Sequence, residues 1–326
     1  VRSGGFFLSL GGGTGIVRAM SRRALLVDRP ARLLLVALAA SADLAPAAAA
    51  TPPASPAWVA MLDAQHQSEV EVRHSGSIRG TFKRNRGGLE LINEGPDHAV
   101  DIEAYAYGNA MGGALAADPE RAYGDTRDIL VSGFVQTALA DGDRLQFIGA
   151  IEFAAEDGVD LGDGLRWGAG AAHRWKRRDG WDVALGAMIQ DRFEMSPLPI
   201  PYLRAIWDAS PSVRVEFRGT GLQNGVFSRW FVTEDRATSL DLSVAYETLS
   251  FRLANSPAGP RAVAIGEVPI RLGITQFLEP SGTWFARVAV AHNPFHRQSF
   301  RRDGDTVAVF QADGSTTLTL RLGARF

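Results

Sequence analysis

Thr317-Leu318-Thr319-Leu320-Arg321-Leu322-Gly323-Ala324-Arg325-Phe326 places Leu318, Leu320, Leu322, Ala324 and Phe326 on one face of an extended chain and Thr317, Thr319, Arg321, Gly323 and Arg325 on the other. Side chains alternate sides at every strand residue, so this period of two is a strand signature. One face is made for an apolar surrounding, the other for water or paired charge.

The same pattern recurs upstream. Leu145, Phe147, Ile151 and Phe153 oppose Gln146 and Glu152; Val213, Val215 and Phe217 oppose Arg214, Glu216 and Arg218; Leu240, Leu242, Val244 and Tyr246 oppose Asp241, Ser243 and Glu247; Val268, Ile270, Leu272 and Ile274 oppose Arg271 and Thr275. Between the runs stand Asp141-Gly142-Asp143, Asp157-Gly158, Asp179-Gly180, Ser281-Gly282, Asp303-Gly304-Asp305 and Asp313-Gly314. Asp and Gly accept the positive φ of tight hairpins, so neighbouring runs are antiparallel. After residue 66 no helical period of any length competes. The expected fold is all-β, an antiparallel up-and-down meander of about 12 strands, with 10–14 as the range.

Runs at 128–139, 165–175 and 240–251 suit the roughly 9 to 11 residues with which a tilted strand crosses a bilayer. Aromatics such as Trp167, Trp175, Trp181, Tyr202, Trp207, Trp230 and Trp284 cluster at run ends, where interfacial girdles would hold them. No apolar stretch approaches the 18 residues of a membrane helix. Without one, only a closed barrel satisfies every backbone group in lipid. The expectation is a transmembrane β-barrel over 66–326, in contact with outer-membrane lipid; a soluble protein of two packed sheets is the competing architecture.

Composition narrows the chemistry. Of 326 residues none is cysteine, which excludes disulfides, thiolate metal sites and a cysteine nucleophile. Lys83 and Lys176 are the two lysines, so nearly all positive charge is guanidinium. A formal charge of −2 argues against a nucleic-acid partner.

Arg22, Arg23, Arg29 and Arg32 precede the apolar run 33–40 and the alanine-rich stretch ending at Ala50. A basic region, a short apolar region and a small-residue end read as a Sec-type signal peptide over 20–50, cut between Ala50 and Thr51. Residues 1–19 fit no part of it and are expected to precede the true start at Met20. Residues 51–65, opening on Thr51-Pro52-Pro53, read as a flexible lead-in. Without residues 1–50 the chain holds 28 basic and 34 acidic residues, an acidic exported protein.

Two resemblances follow. The run Leu318, Leu320, Leu322, Phe326 resembles the C-terminal insertion signal of bacterial outer-membrane barrels, which implies recognition by the barrel-assembly machinery. The stretch Gly180-Trp181-Asp182-Val183-Ala184-Leu185-Gly186, with Asp191-Arg192-Phe193, Leu198-Pro199-Ile200-Pro201, Arg204-Ala205-Ile206-Trp207 and Val213-Arg214-Val215-Glu216, resembles an uncharacterised family of bacterial outer-membrane β-barrels. That resemblance runs from about Trp181 to Phe326. It implies architecture and location and contributes no catalytic residues.

On this reading Arg166, Arg174, Arg214, Glu216, Arg218, Asp241, Glu247, Arg271 and Arg321 face the lumen. Mixed signs are expected to pair across a narrow interior rather than form a single-sign selectivity ring. The expected function is a narrow or plugged channel, transport or structural barrel without cofactor. The alternatives are a barrel enzyme acting on lipid or peptide and a soluble periplasmic barrel binding a lipid-like ligand.

Sites of other chemistry are sparse. His292 and His296 are spaced like a helical metal pair, but Pro294 excludes the helix. Asp157, Asp160 and Asp163 lack the alternate-residue spacing of a calcium loop. Ser299 lies near His292 in sequence, with no motif to orient nucleophile and base.

Overall fold

The computed structural model describes residues 57–117, 122–140, 142–176, 179–219, 223–254, 261–279, 282–312 and 314–326. The expected signal peptide, its expected Ala50–Thr51 junction and the start of the expected lead-in lie outside the described residues.

The strands are β1 (Ala57–Gln67), β2 (Val70–His74), β3 (Ser77–Glu94), β4 (His98–Gly112), β5 (Thr126–Ala138), β6 (Arg144–Glu156), β7 (Leu165–Lys176), β8 (Trp181–Arg192), β9 (Met195–Ser210), β10 (Val213–Gly219), β11 (Gln223–Phe231), β12 (Thr238–Arg252), β13 (Ala262–Glu267), β14 (Ile270–Phe277), β15 (Trp284–Asn293), β16 (His296–Arg302), β17 (Asp305–Ala312) and β18 (Ser315–Arg325). One helical turn, α1 (Gly113–Ala116), follows β4. All 18 strands belong to one sheet. Eight of them are halves of interrupted strands, β1 with β2, β13 with β14, β15 with β16 and β17 with β18, so the ring has 14 members.

The ring closes where β18 meets β1 antiparallel, from Val59 opposite Arg325 to Gln67 opposite Thr317. Trp58 and Phe326 exchange two backbone hydrogen bonds of 2.9 Å at the seam's end. The first strand begins at Ala57, so most of the expected lead-in is barrel wall. Its inner residues include Met61 and Asp63 and its outer ones Leu62 and His66, a mixture that hides the period of two. The strand count exceeds 12 for the same reason: the middle of β3 reads Lys83-Arg84-Asn85-Arg86, with no apolar face to announce it.

Register sorts the two faces. Leu62 lies opposite Leu322, Ala64 opposite Leu320 and His66 opposite Leu318 on the outside, while Asp63 faces Arg321 within. Along the outer face Ile129, Val131, Phe147, Ile151, Trp167, Leu185, Ile189, Leu272, Ile274, Val288 and Leu320 are exposed. Trp181 and Trp207, directly opposite on β8 and β9, stack with ring centres 5.3 Å apart, and Phe217 on β10 continues the stack. This aromatic group sits at the end that holds the seam's Trp58 and Phe326.

Toward the other end the alternation inverts. On β12, Asp241, Ser243 and Glu247 point inward below, whereas Leu249 and Phe251 point inward above, with Thr248, Ser250 and Arg252 outside. On β3, Phe82 replaces Arg84, Arg86 and Glu90 on the inner face. The four interruptions, at Ser68-Glu69, Val268-Pro269, Pro294-Phe295 and Gly314, lie side by side where this inversion occurs. Pro269 and Pro294 have no N–H to continue a ladder and mark two of the breaks.

Candidate functional site

Inside the ring, charged side chains are paired along the wall. Asp63 on β1 accepts hydrogen bonds from Arg86 on β3 at 2.7 and 3.0 Å and from Arg321 on β18 at 3.1 and 3.2 Å. Arg321 also meets Glu90 at 3.1 Å, and the Arg86 guanidinium lies 4.4 Å from the Tyr105 ring centre. Further round, Arg166 pairs with Glu152, and Arg174 with Asp182 at 2.5 and 2.7 Å. Arg204 and Arg218 each approach Glu216 at 2.8 Å. Arg229 meets Asp241 at 2.7 Å, and Arg271 grips Glu247 at 2.5 and 2.6 Å. Arg214 pairs with Asp208 at 2.6 Å near the exposed rim.

These pairs join the same strand, neighbouring strands or next neighbours, not opposite walls, which corrects the expected cross-lumen network. Register is the cause: Glu152 lies directly opposite Arg166, and Asp241 opposite Arg229. Opposed Cβ atoms stand only about 4.5–5.5 Å apart, so each guanidinium reaches a carboxylate beside it.

At the level of the inversion a second group does cross the interior. Arg84 on β3 donates from one Nη to both Glu267 oxygens on β13, at 2.9 Å each. His296 Nδ1 is 2.8 Å from the same carboxylate, and Gln298 donates to His296 Nε2 at 3.1 Å. All four side chains are buried. Beside them Gln67 and Asn293 both donate to Ser315 Oγ, at 3.0 and 3.1 Å, joining three strands at their breaks.

Beyond that layer the interior turns apolar. Val70, Val72, Phe82, Tyr105, Tyr107, Leu115, Tyr123, Phe193, Phe251, Val263, Ile265, Phe300 and Phe310 belong to one buried cluster. The Tyr107 ring on β4 meets Phe251 on β12 edge-on at 5.4 Å, and Tyr123 packs against both Phe82 and Phe300. Because β4, β12 and the β8–β9 turn that carries Phe193 are spread around the ring, one cluster containing residues of all three spans the lumen. Arg252 of β12 even forms a parallel bridge with Ala155 of β6. The end remote from the seam is stoppered.

The other candidates are dispersed. His292 lies on the outer face opposite Ile270, while His296 is buried with Glu267 beyond Pro294. Ser299 lies opposite Ala264, away from His292. Asp160 accepts backbone hydrogen bonds from Asp163 and Gly164 in a turn, and Asp157 pairs with Arg127 at 2.8 Å. Among the described residues no cluster of His, Asp and Glu is arranged to hold a metal ion. Asp63, Arg84, Arg86, Glu90, Glu267 and Gln298 escape sequence reasoning, because their strands lack a clean apolar face or flip it midway.

No protein-family profile and no curated protein sequence matches the chain. Solved structures do match it. The chain is similar to the COG4313 outer membrane channel from Pseudomonas putida F1, with 13% identity and a TM-score of 0.46, covering 87% of this chain and 100% of that one. The toluene transporter TodX of P. putida aligns with 9% identity and a TM-score of 0.41 over 84% of this chain and 91% of its own. The outer membrane protease OmpT from Escherichia coli aligns with 8% identity and a TM-score of 0.28 over 85% and 99%.

Proposed function

We propose that the chain is a β-barrel of the bacterial outer membrane, working as a narrow or plugged channel for a solute. The observation that carries this reading is the closed ring with an apolar exterior and a lumen of paired charges. Such a wall closes on itself and turns its greasy face outward, the arrangement a bilayer demands. Export by the signal peptide and insertion through the Phe326 strand complete the proposal.

The stopper sets the expected conductance. Residues 51–326, refolded in detergent and checked by a heat-shifted gel band, should give small steps or none in a planar bilayer. Large, stable open steps would refute the plugged lumen. The lipid-facing assignment has its own test. Leu320→Arg places a charge on the outer face of β18 and should cost roughly 2–4 kcal/mol near mid-membrane. Urea titration of refolding into liposomes reads that loss, and an unchanged midpoint would place β18 outside the hydrocarbon.

A further inference from the structure

The wall is not equally tall all round. β10 and β11 are 7 and 9 residues long, between β9 with 16 and β12 with 15. The last pair joining β9 to β10 is Leu203 with Gly219, and the last described pair joining β11 to β12 is Gln223 with Glu247. Above these levels, among the described residues, residues 195–202 of β9 and 248–251 of β12 have no strand paired on the side of the short hairpin, and at its tip β12 bridges to β6 through Arg252 and Ala155. At about 3.3 Å per residue the unpaired edges run roughly 13 to 26 Å, and two missing strands leave a base about 14 Å wide. The top is tied by Glu194, at the β8–β9 turn, which pairs with Arg252 at the tip of β12.

The β9 edge of this opening is chemically prepared for a place without water. Asp208 donates its N–H to Gly180, on the β8 side. Alternate residues of a regular strand share that direction, so Tyr202, Ile200 and Leu198 also turn toward β8. The intervening positions 199 and 201 turn toward the opening, and both are proline. A strand edge in lipid exposes donors that nothing satisfies, at several kcal/mol each. Pro199 and Pro201 have none to expose.

Behind that edge the lumen changes character. Ala172, Ala184, Met188 and Tyr202 form a second buried apolar cluster, with Ile148 and Ile200 packed against it. Leu198, on the same inner face, is 40% exposed. The charges nearest this patch are already matched, Arg174 with Asp182, and Arg204 and Arg218 with Glu216. They offer an ion little, and what the patch adds is apolar area continuous with the outer surface at Ile189 and Leu203.

We propose that the lumen opens sideways, between β9 and β12, and that this window passes an uncharged apolar solute dissolved in the membrane to the patch at Met188, Ile200 and Tyr202. The inference rests on the membrane-barrel reading and gives it a route that bypasses the stopper.

The test uses the absence of native cysteines. Single variants Leu198→Cys and Ile200→Cys at the window, Phe134→Cys and Ile206→Cys on the inner face elsewhere, and Leu320→Cys on the outer face are labelled with bimane and refolded into liposomes. A heat-shifted band selects folded barrels. The probe is 5-doxyldecane, an uncharged apolar nitroxide that quenches bimane on contact. Quenching at 198 and 200 should approach that at 320 and exceed that at 134 and 206 at least threefold. If 320 is quenched while 198 and 200 match 134 and 206, the window is refuted and the membrane barrel stands. If 320 itself is not quenched, the membrane reading falls and the window with it.

Discussion

Glu267→Ala is expected to destabilise the barrel by about 3–5 kcal/mol, because it strands two partners in a buried site. Arg84 and His296 both bind this carboxylate, from β3 and from β16, and neither is exposed. The pair's net worth is a separate matter, since two charges lose much of their mutual attraction to desolvation. Arg84→Met combined with Glu267→Leu should therefore recover most of the loss, as apolar replacement of a buried pair is often near neutral. Equilibrium unfolding in detergent, with the heat-shifted band as reporter, measures all three proteins. A single Glu267→Ala barrel as stable as the parent would mean that this layer is wet.

Phe251→Ala should act on stability and on transport together. Phe251 is fully buried and meets Tyr107 from the opposite wall. Truncating a buried phenylalanine costs about 3–5 kcal/mol, with the spread set by how far the surroundings collapse. Here collapse is limited, because the walls are fixed by hydrogen bonding. Conductance through the barrel axis should rise, and Phe251→Leu should restore stability and silence together. Unaltered stability and conductance in Phe251→Ala would show that the cluster does not seal the lumen.

The half of the barrel with an apolar exterior was legible from residues and the half with an apolar interior was not, for a physical reason. Where a strand is apolar outside and carries paired charge inside, as at 317–326 and 240–247, alternation is clean and strong. Where β12 continues past Glu247, the apolar residues change from one face to the other, and a single-period reading cannot follow both. β3 adds a second obstacle. Its inner Arg84 and Arg86 alternate with outer Lys83 and Asn85, so period two is present but carries no contrast. The lumen arginines could be placed on one face from sequence, yet their partners depended on register, and register follows from which strands neighbour each other. The window at β9 was hidden more completely. Nothing in Pro199 and Pro201 taken alone says that the strands beside them, among the described residues, stop short.

The seam between β1 and β18 also dictates an order of events. Its paired residues are separated by some 250 to 270 positions, from Gln67 with Thr317 to Val59 with Arg325. Apart from the continuation of this seam, where β17 meets β2 at Gln311 with Arg73, and the bridge from Arg252 to Ala155, the strand pairings join neighbours along the chain or short returns. Until β18 arrives, the growing sheet has two raw edges able to pair with the wrong chain. Closing so distant a contact is slow, since loop entropy must be overcome before any bond repays it. The cell would have to shelter that open sheet, and Asp63, held by arginines from β3 and β18, is the polar latch that only the finished circle can satisfy.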